Sequence, residues 1–171
     1  RGQFPELWRV PELPRRDFHS AYIATYLERD VRQILNVTSL RDFERFLRAC
    51  ALRSGNLLNK ADLARDVGIA PSTANQWLSV LEASGQVALL EPWFSNRTKS
   101  LVKSPKLYLA DSGVLCALLS IRTPDELRRS PWAGAVWETF VFAQLRHRER
   151  VAGRTNNLFF WSDRRREVDF V

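Results

Sequence analysis

The stretch Asn59–Asp111 decides the fold, and it reads NKADLARDVGIAPSTANQWLSVLEASGQVALLEPWFSNRTKSLVKSPKLYLAD. Its first part predicts a short helix that Asn59 caps and that Gly68 ends in the left-handed conformation. Pro71 then stands at the first position of a second helix, where its missing N–H costs nothing. Gly85 ends that second helix. Two helices joined by a tight, glycine-containing turn predict a helix-turn-helix.

The remainder of the stretch predicts a β-hairpin. Apolar runs at Val87–Leu90 and Leu107–Ala110 flank a polar and basic loop. Two short apolar runs on either side of such a loop are typical of paired strands. A hairpin directly after a helix-turn-helix is the wing of a winged helix. We therefore expect a winged helix whose helix-turn-helix covers residues 59–85 and whose wing covers residues 86–110.

The second helix has a polar face opposite its apolar stripe. Asn and Gln side chains can hydrogen-bond adenine edges in the major groove of DNA. This helix carries no Arg or Lys, and phosphate contacts supply much of the affinity for DNA, so the wing has to provide the positive charge. The alternative is a winged helix that packs against another domain and has a merely solvated wing. The candidate DNA contacts are Ser72, Thr73, Asn75 and Gln76 on the helix, and Arg97, Lys99, Lys103 and Lys106 on the wing.

Composition and charge narrow the class of protein. The chain has 171 residues, 45% of them hydrophobic, which indicates a globular protein, and its net charge is +7. That charge suits a polyanion such as double-stranded DNA, although diffuse charge also serves solubility. No apolar run approaches the ~20 residues of a membrane span, so we expect no membrane partner. Cys50 and Cys116 lie apart on the apolar sides of predicted helices, which indicates small core residues in a reducing cytoplasm.

The two ends of the chain suggest a piece of a longer protein. The sequence contains no methionine, and Val171 falls inside a strand-like pattern. Residues 1–16 hold three prolines and show no sustained periodicity, which predicts an extended connector. Helices predicted over 17–35 and 40–54 complete a helical body over residues 17–120. Asp30 falls among the apolar positions of the first of these helices. It is either a buried partner of an arginine or a solvated carboxylate.

The last part of the chain predicts a helix, a strand, a turn and a second strand. The helix starts near Pro131, and the second strand starts at Glu167. Glu138 lies beside the apolar face of the helix, and Asp169 lies inside the strand. A carboxylate removed from water costs several kcal/mol unless it is paired or binds a cation. Two converging carboxylates would suit Mg²⁺, which takes oxygen ligands. The alternative is that Asp169 faces solvent and Glu138 pairs with an arginine of residues 164–166.

Several short segments resemble a widespread prokaryotic group of AAA-type ATPases. In that group a P-loop ATPase domain precedes a C-terminal domain of unknown function. The resemblance implies that residues 1–16 connect to a missing ATPase domain, and that the parent protein uses ATP and Mg²⁺. This chain has no GxxxxGK[ST] stretch, so we expect no cofactor in it. The segments are YLERDV at 26–31, LE at 81–82, KSPKLY at 103–108, ADSG at 110–113, WETFV at 137–141 and EVDF at 167–170.

The same resemblance implies a winged helix followed by a fold similar to the PD-(D/E)xK restriction-type nucleases. Glu138 matches the helix glutamate of that pattern, and Asp169 matches its metal-binding aspartate, so both are candidate catalytic and metal-binding residues. The rest of the pattern is an acidic residue and a lysine two positions apart. It would lie beyond Val171, and we therefore expect an incomplete site without a tightly bound metal.

These observations predict a mainly α fold with a small β component. The winged helix is followed over residues 121–171 by the start of an α/β restriction-endonuclease-like unit. Our leading hypothesis is the C-terminal, DNA-associating or regulatory part of a cytoplasmic prokaryotic AAA-type ATPase. One alternative is a metal-dependent nuclease truncated before its full active site, and another is a winged-helix module for protein interaction. The expected partners are double-stranded DNA and the missing ATPase domain, with oligomerisation left open.

Overall fold

The fold is mainly helical with a small β component, as the sequence predicts. The computed structural model describes residues 1–31, 40–93, 104–154, 157–163 and 166–171. The elements in chain order are α1 (Pro5–Arg9), α2 (Arg15–Thr25), a π-helical turn (Tyr26–Val31), α3 (Leu40–Ala51), β1 (Asn56–Leu57), α4 (Lys60–Val67), α5 (Pro71–Ala83), β2 (Val87–Leu90), β3 (Lys106–Leu109), α6 (Ser112–Leu118), α7 (Pro124–Arg129), α8 (Ala133–Val151), β4 (Trp161–Ser162) and β5 (Glu167–Val168).

The helix-turn-helix forms where the capping residues predict it. The side chain of Asn59 accepts hydrogen bonds from the backbone N–H groups of Ala61 and Asp62, each at 3.1 Å, and so caps α4. Gly68 ends α4 with φ at 79°, a conformation that glycine adopts without steric cost. Pro71 opens α5. The predicted order of helix, turn and helix is confirmed.

The wing is the antiparallel pair of β2 and β3, with Val87 opposite Leu109 and Leu90 opposite Lys106. A third strand, β1, pairs with the other edge of β3, which gives the sheet order β1-β3-β2. The sequence does not predict β1, because two residues are too few to show a periodic pattern. Its pairing connects the end of α3 to the sheet of the wing.

The main core contains buried side chains of α3, α4, α5 and α6 together with the leucines of β3. Trp77 is 7% exposed, and its ring lies 5.1 Å from that of Phe43 and 5.5 Å from that of Phe46, between ring centroids. Both phenylalanines belong to α3. Trp77 therefore packs against the helix that precedes the helix-turn-helix, and not simply between its two helices.

A smaller core joins the wing to the last part of the chain. It contains buried Tyr108, Phe142 and Phe160, and Phe170 packs against it. The backbone N–H of Phe160 donates to the carbonyl of Glu91 at 3.1 Å, which connects the C-terminal hairpin to the end of β2. The hairpin itself pairs Trp161 with Val168.

The first residues differ from the sequence prediction. Residues 1–16 are not extended throughout, because Pro5–Arg9 is helical and its Leu7 is 1% exposed. A helix of five residues is too short to show periodicity, and the three prolines of this stretch indicate an extended backbone. The predicted helix over 17–35 is observed as α2 and the π-helical turn, while residues 32–39 and the Asp30 side chain lie outside the described part.

Cys50 is a buried free thiol and Cys116 a half-buried one, as expected for core positions. Burial raises the pKa of Cys50 to about 12. Within the described ranges, no helix combines the length and the apolar character needed to cross a bilayer.

Trp77→Ala should lower the free energy of unfolding by about 3–5 kcal/mol, because it removes a buried ring between two others and leaves a cavity. Urea denaturation followed by circular dichroism measures this loss. Gln76→Ala, at the exposed neighbouring position, is the control and should change stability by less than about 0.5 kcal/mol. A loss below about 1 kcal/mol for Trp77→Ala would contradict the observed packing.

Candidate functional site

Five polar side chains meet where the wing, α8 and the C-terminal hairpin come together. We call Lys106, Tyr108, Glu138, Glu167 and Asp169 the lysine–carboxylate cluster. The Nζ of Lys106 lies 3.3 Å from Oε1 of Glu138 and 2.9 Å from Oδ1 of Asp169, and it also contacts Oε1 of Glu167. The hydroxyl of Tyr108 donates to the same Oε1 of Glu138. One ammonium thus holds three carboxylates from two elements and the segment after β5.

Alternation along β3 places the two wing residues of the cluster. Side chains of a strand alternate between its faces, so Lys106 and Tyr108 share one face, and Leu107 and Leu109 share the other. The leucines lie in the winged-helix core, and the ring of Tyr108 stacks on Phe142 with 4.2 Å between centroids. The side chain of Lys106 is only 4% exposed. Strand β3 therefore contributes to two cores. The side chain of Lys106 extends from this strand to Glu138 of α8.

Glu138 is positioned by contacts of its own helix with the winged helix. The hydroxyl of the neighbouring Thr139 lies 2.8 Å from that of Ser54, and both residues are buried. Ser54 also accepts a hydrogen bond from the backbone N–H of Leu109 at 3.0 Å. A Cβ atom on Gly55 would lie 3.2 Å from Oε2 of Glu138, and Gly55 has φ at +84°. Glycine suits this position because of its left-handed backbone conformation, and a Cβ atom there would also crowd the carboxylate.

Glu167 and Asp169 approach Lys106 from the hairpin. Their side chains are 50% and 51% exposed, whereas that of Glu138 is 23% exposed. Phe170 packs behind them, with its ring centroid 6.1 Å from that of Tyr108. The cluster is consequently buried on the side of α8 and open to water on the side of the hairpin.

The charges of the cluster fix its protonation. Burial lowers the pKa of Lys106, but the hydrogen bonds to Glu167 and Asp169 and the charge of Glu138 outweigh this effect, so the pKa lies above the ordinary value. Burial raises the pKa of Tyr108, and the bond to Glu138 and the nearby carboxylates raise it further. At neutral pH the cluster therefore contains a charged ammonium and a protonated phenol.

The structure brings together Glu138 and Asp169, the two carboxylates that the sequence singles out. A lysine lies between them, and its ammonium contacts both carboxylates. Within the described ranges, no group of three or more His, Cys, Asp or Glu side chains is spaced to hold a metal ion. The ammonium of Lys106 supplies the positive charge that a metal would bring. Pairing of Glu138 with Arg166 is not observed, and Arg164 and Arg165 lie outside the described residues.

Lys106 is the functional residue that the sequence prediction misplaced. We expected it on the surface of the wing as a phosphate contact. Its side chain is buried and its charge is engaged by three carboxylates, so it does not offer a phosphate contact in this structure. The alternation of side chains in Lys106–Leu109 could have predicted this burial. Both leucines belong to the core, and Lys106 shares the opposite face with Tyr108.

The other candidate DNA contacts fall into two groups. On α5, Ser72, Asn75 and Gln76 are exposed and Thr73 is half-buried. The wing residues Arg97, Lys99 and Lys103 lie outside the described residues. The outward face of α5 is thus the part of the predicted DNA interface that the structure describes.

Comparisons with known proteins place the chain among families without an assigned function. The family described as Domain of unknown function (DUF8612) matches residues 1–125, and one described as Domain of unknown function (DUF4143) matches residues 133–171. Uncharacterized proteins of Mycobacterium tuberculosis and Mycobacterium bovis are each 36% identical over 144 residues, which cover 84% of this chain. The chain spans about a third of the length of these curated relatives, since the match covers 32% of each. No solved structure matches the chain.

Lys106→Met should lower the free energy of unfolding by about 3 kcal/mol, because it leaves three carboxylates together without their cation. The value is at the low end of the range for broken buried ion pairs, since two of the carboxylates are half exposed. Urea denaturation at neutral pH measures the change. Lys60→Met, at an exposed lysine of α4, is the matched control and should have little effect.

The same variants test the protonation of Lys106. A raised pKa in the folded state stabilises the protein fully below the unfolded-state pKa, ordinarily about 10.5, and this stabilisation is lost as the pH rises through the folded-state value. Wild type and Lys60→Met should therefore lose more stability than Lys106→Met above about pH 10.5. Parallel losses in all three proteins would contradict the assignment of the ammonium to the ion-paired site.

Proposed function

The chain belongs to the family described as Domain of unknown function (DUF8612), and we propose that it is the DNA-associating, regulatory part of a cytoplasmic prokaryotic AAA-type ATPase. The observation that carries the proposal is the exposed polar face of α5 in the winged helix. Ser72, Asn75, Gln76 and Ser79 lie at i, i+3, i+4 and i+7, so they share one face of the helix, and all four are exposed.

The opposite face of α5 fixes the helix in the fold. Ala74, Trp77, Leu78 and Leu81 are buried, which orients the polar face outward. Asparagine and glutamine amides offer both donors and acceptors to base edges in a major groove. A helix held on one side and polar on the other is the arrangement that helix-turn-helix proteins use to read DNA.

The N-terminus of α5 supports a phosphate contact. Pro71 opens the helix, and no acidic residue lies in its first turn. The positive end of the helix dipole is therefore uncompensated by local carboxylates, and backbone N–H groups there can bind an anion. This feature offsets part of the missing Arg and Lys on the helix. The wing residues Arg97, Lys99 and Lys103 would supply the remaining charge.

The ATPase context rests on resemblance and on length. The short segments described above resemble a group in which a P-loop domain precedes this kind of domain. The mycobacterial relatives are about three times as long as the matched segment, since it covers 32% of each. Such a length has room for a nucleotide-binding domain. In the proposed parent, ATP and Mg²⁺ belong to that domain, and the winged helix brings it to DNA.

Replacing Arg97, Lys99 and Lys103 together by Ala should weaken binding to double-stranded DNA of any sequence. Each lost phosphate contact should also reduce the slope of log K against log salt by about 0.9. Fluorescence anisotropy of a labelled duplex over a series of salt concentrations measures both quantities. The charge-matched control replaces Arg9, Arg128 and Arg129, which lie outside the winged helix and should leave the slope unchanged.

The face of α5 has its own variant in the same experiment. Asn75→Ala combined with Gln76→Ala should change the preference among duplex sequences while keeping the salt slope, because base contacts carry sequence information and phosphate contacts do not. If the wing triple variant binds as wild type does, the DNA proposal is wrong. The winged helix would then be a protein-interaction module.

A metal-dependent nuclease is a second candidate, and one observation favours it. Glu138, Asp169 and Lys106 converge, and two acids with a lysine are the residue types of the PD-(D/E)xK pattern. The lysine comes from the wing rather than from the strand that the pattern requires, and its ammonium lies within 3.3 Å of both acids. Duplex cleavage by the full-length protein in Mg²⁺, lost in Glu138→Ala and kept in Glu149→Ala, would support this candidate.

A further inference from the structure

A basic cavity lies on the side of the fold formed by α2, α3 and the segment from α6 to α7. Its volume is about 360 Å³, within the range of small-molecule sites. Five arginines line it, and no Asp or Glu is among its described lining residues. Neither the winged helix surface nor the lysine–carboxylate cluster accounts for this concentration of positive charge.

Three of the five arginines have no ionic partner among the described residues. Arg48 donates to Glu44, and Arg1 lies over the ring of Trp8. The other three, Arg15, Arg16 and Arg122, are exposed at the rim of the cavity without a carboxylate partner within the described ranges. Three guanidinium groups without ionic partners at one cavity attract an anion, which would neutralise part of their charge. Arginine also binds phosphate with two parallel hydrogen bonds.

The position of two arginines in their helix strengthens this point. Arg15 and Arg16 occupy the first turn of α2, which spans Arg15–Thr25. The positive end of the helix dipole lies there, and Asp17 in the same turn supplies one compensating negative charge against the two arginines. Pro14 precedes them and provides no side-chain cap. A bound anion would interact favourably with both the guanidinium groups and the end of the helix.

His19 is among the residues that line the cavity, but its Nε2 is turned toward the protein interior. Its side chain is 4% exposed, and Nδ1 donates to the carbonyl of Arg15 at 2.9 Å. Nε2 is buried without a hydrogen-bond partner among the described residues, and Oδ1 of Asp111 is 4.0 Å away. Buried polar atoms are rarely left unpaired, because the missing bond to water is not replaced. This nitrogen is enclosed beside Gly113, so the arginines and not His19 would hold a ligand in the cavity.

The remaining lining residues indicate the chemistry of the part of the ligand that the arginines do not bind. Ala117, Ile121 and Leu127 supply apolar surface opposite the arginines. Ser120, also in the lining, has φ at 60°, a left-handed conformation in which helices usually end with glycine. Serine at this position keeps a hydroxyl at the cavity and accepts a backbone conformation that is costly for a residue with a Cβ atom.

We propose that this cavity binds a small organic phosphate, with the phosphate between Arg15, Arg16 and Arg122 and its apolar part on Ala117, Ile121 and Leu127. The site is separate from the α5 face and does not depend on DNA binding. The arginines select a doubly charged anion, and the apolar floor distinguishes an organic phosphate from inorganic phosphate.

Isothermal titration calorimetry of the whole chain with phenyl phosphate tests the proposal, with inorganic phosphate and benzyl alcohol as partial ligands. Phenyl phosphate should bind at one site and more tightly than either partial ligand. Arg16→Ala and Arg122→Ala should each weaken it at least about tenfold, the size of one charge-assisted hydrogen bond. Arg129→Ala is the control, because this arginine of α7 is exposed and does not line the cavity.

A second variant separates binding from folding. Ser120→Gly should weaken phenyl phosphate while the melting temperature stays the same or rises, since glycine suits the left-handed conformation. Equal binding in Arg122→Ala and Arg129→Ala would overturn the proposal, as would the absence of any phenyl phosphate binding to wild type. If inorganic phosphate bound as tightly as phenyl phosphate, the proposal that the ligand has an organic part would be wrong. Loss of duplex affinity in Arg16→Ala without phenyl phosphate binding would assign these arginines to DNA instead.

Discussion

The ammonium of Lys106 is the interaction on which the arrangement of the chain depends. It is buried, and it neutralises Glu138 of α8, Glu167 of β5 and Asp169, which directly follows β5. Without it, three negative charges would meet beside the aromatic core, and their repulsion would weaken the attachment of the hairpin to the wing. The hydrogen bonds of Tyr108 and the close approach of Gly55 then fix Glu138 in the same place.

The winged helix could be predicted from local signals because each of its boundaries has a residue that causes it. Asn59 caps α4, Gly68 ends it and Pro71 opens α5, and all three act through the backbone of their own segment. Strand β1 and helix α1 could not be predicted, because a few residues show no periodicity. They form through long-range contacts, such as the pairing of Asn56 with Leu107.

The candidate site shows the same limit in its chemistry. Glu138 and Asp169 could be singled out because each carboxylate stands in an apolar setting in the sequence. Their common partner could not, because Lys106 lies 32 residues before Glu138 and 63 residues before Asp169. Its place in a basic stretch suggested a solvated side chain, while the alternation of β3 directs it inward. A metal site and a buried ion pair both bring two carboxylates close together, so the carboxylates alone do not distinguish them. The third residue, Lys106, does.

Strand β3 belongs to both hydrophobic cores at once, with its leucines in one and Tyr108 in the other. A shift of its pairing by one residue would exchange its two faces, and would place Lys106 among the apolar helices and a leucine among the carboxylates. The register of this single strand is therefore specified twice, by burial on one side and by charge on the other. Neither core can loosen without disturbing the alignment of the other. The winged helix and the C-terminal hairpin thus share the packing of a single strand.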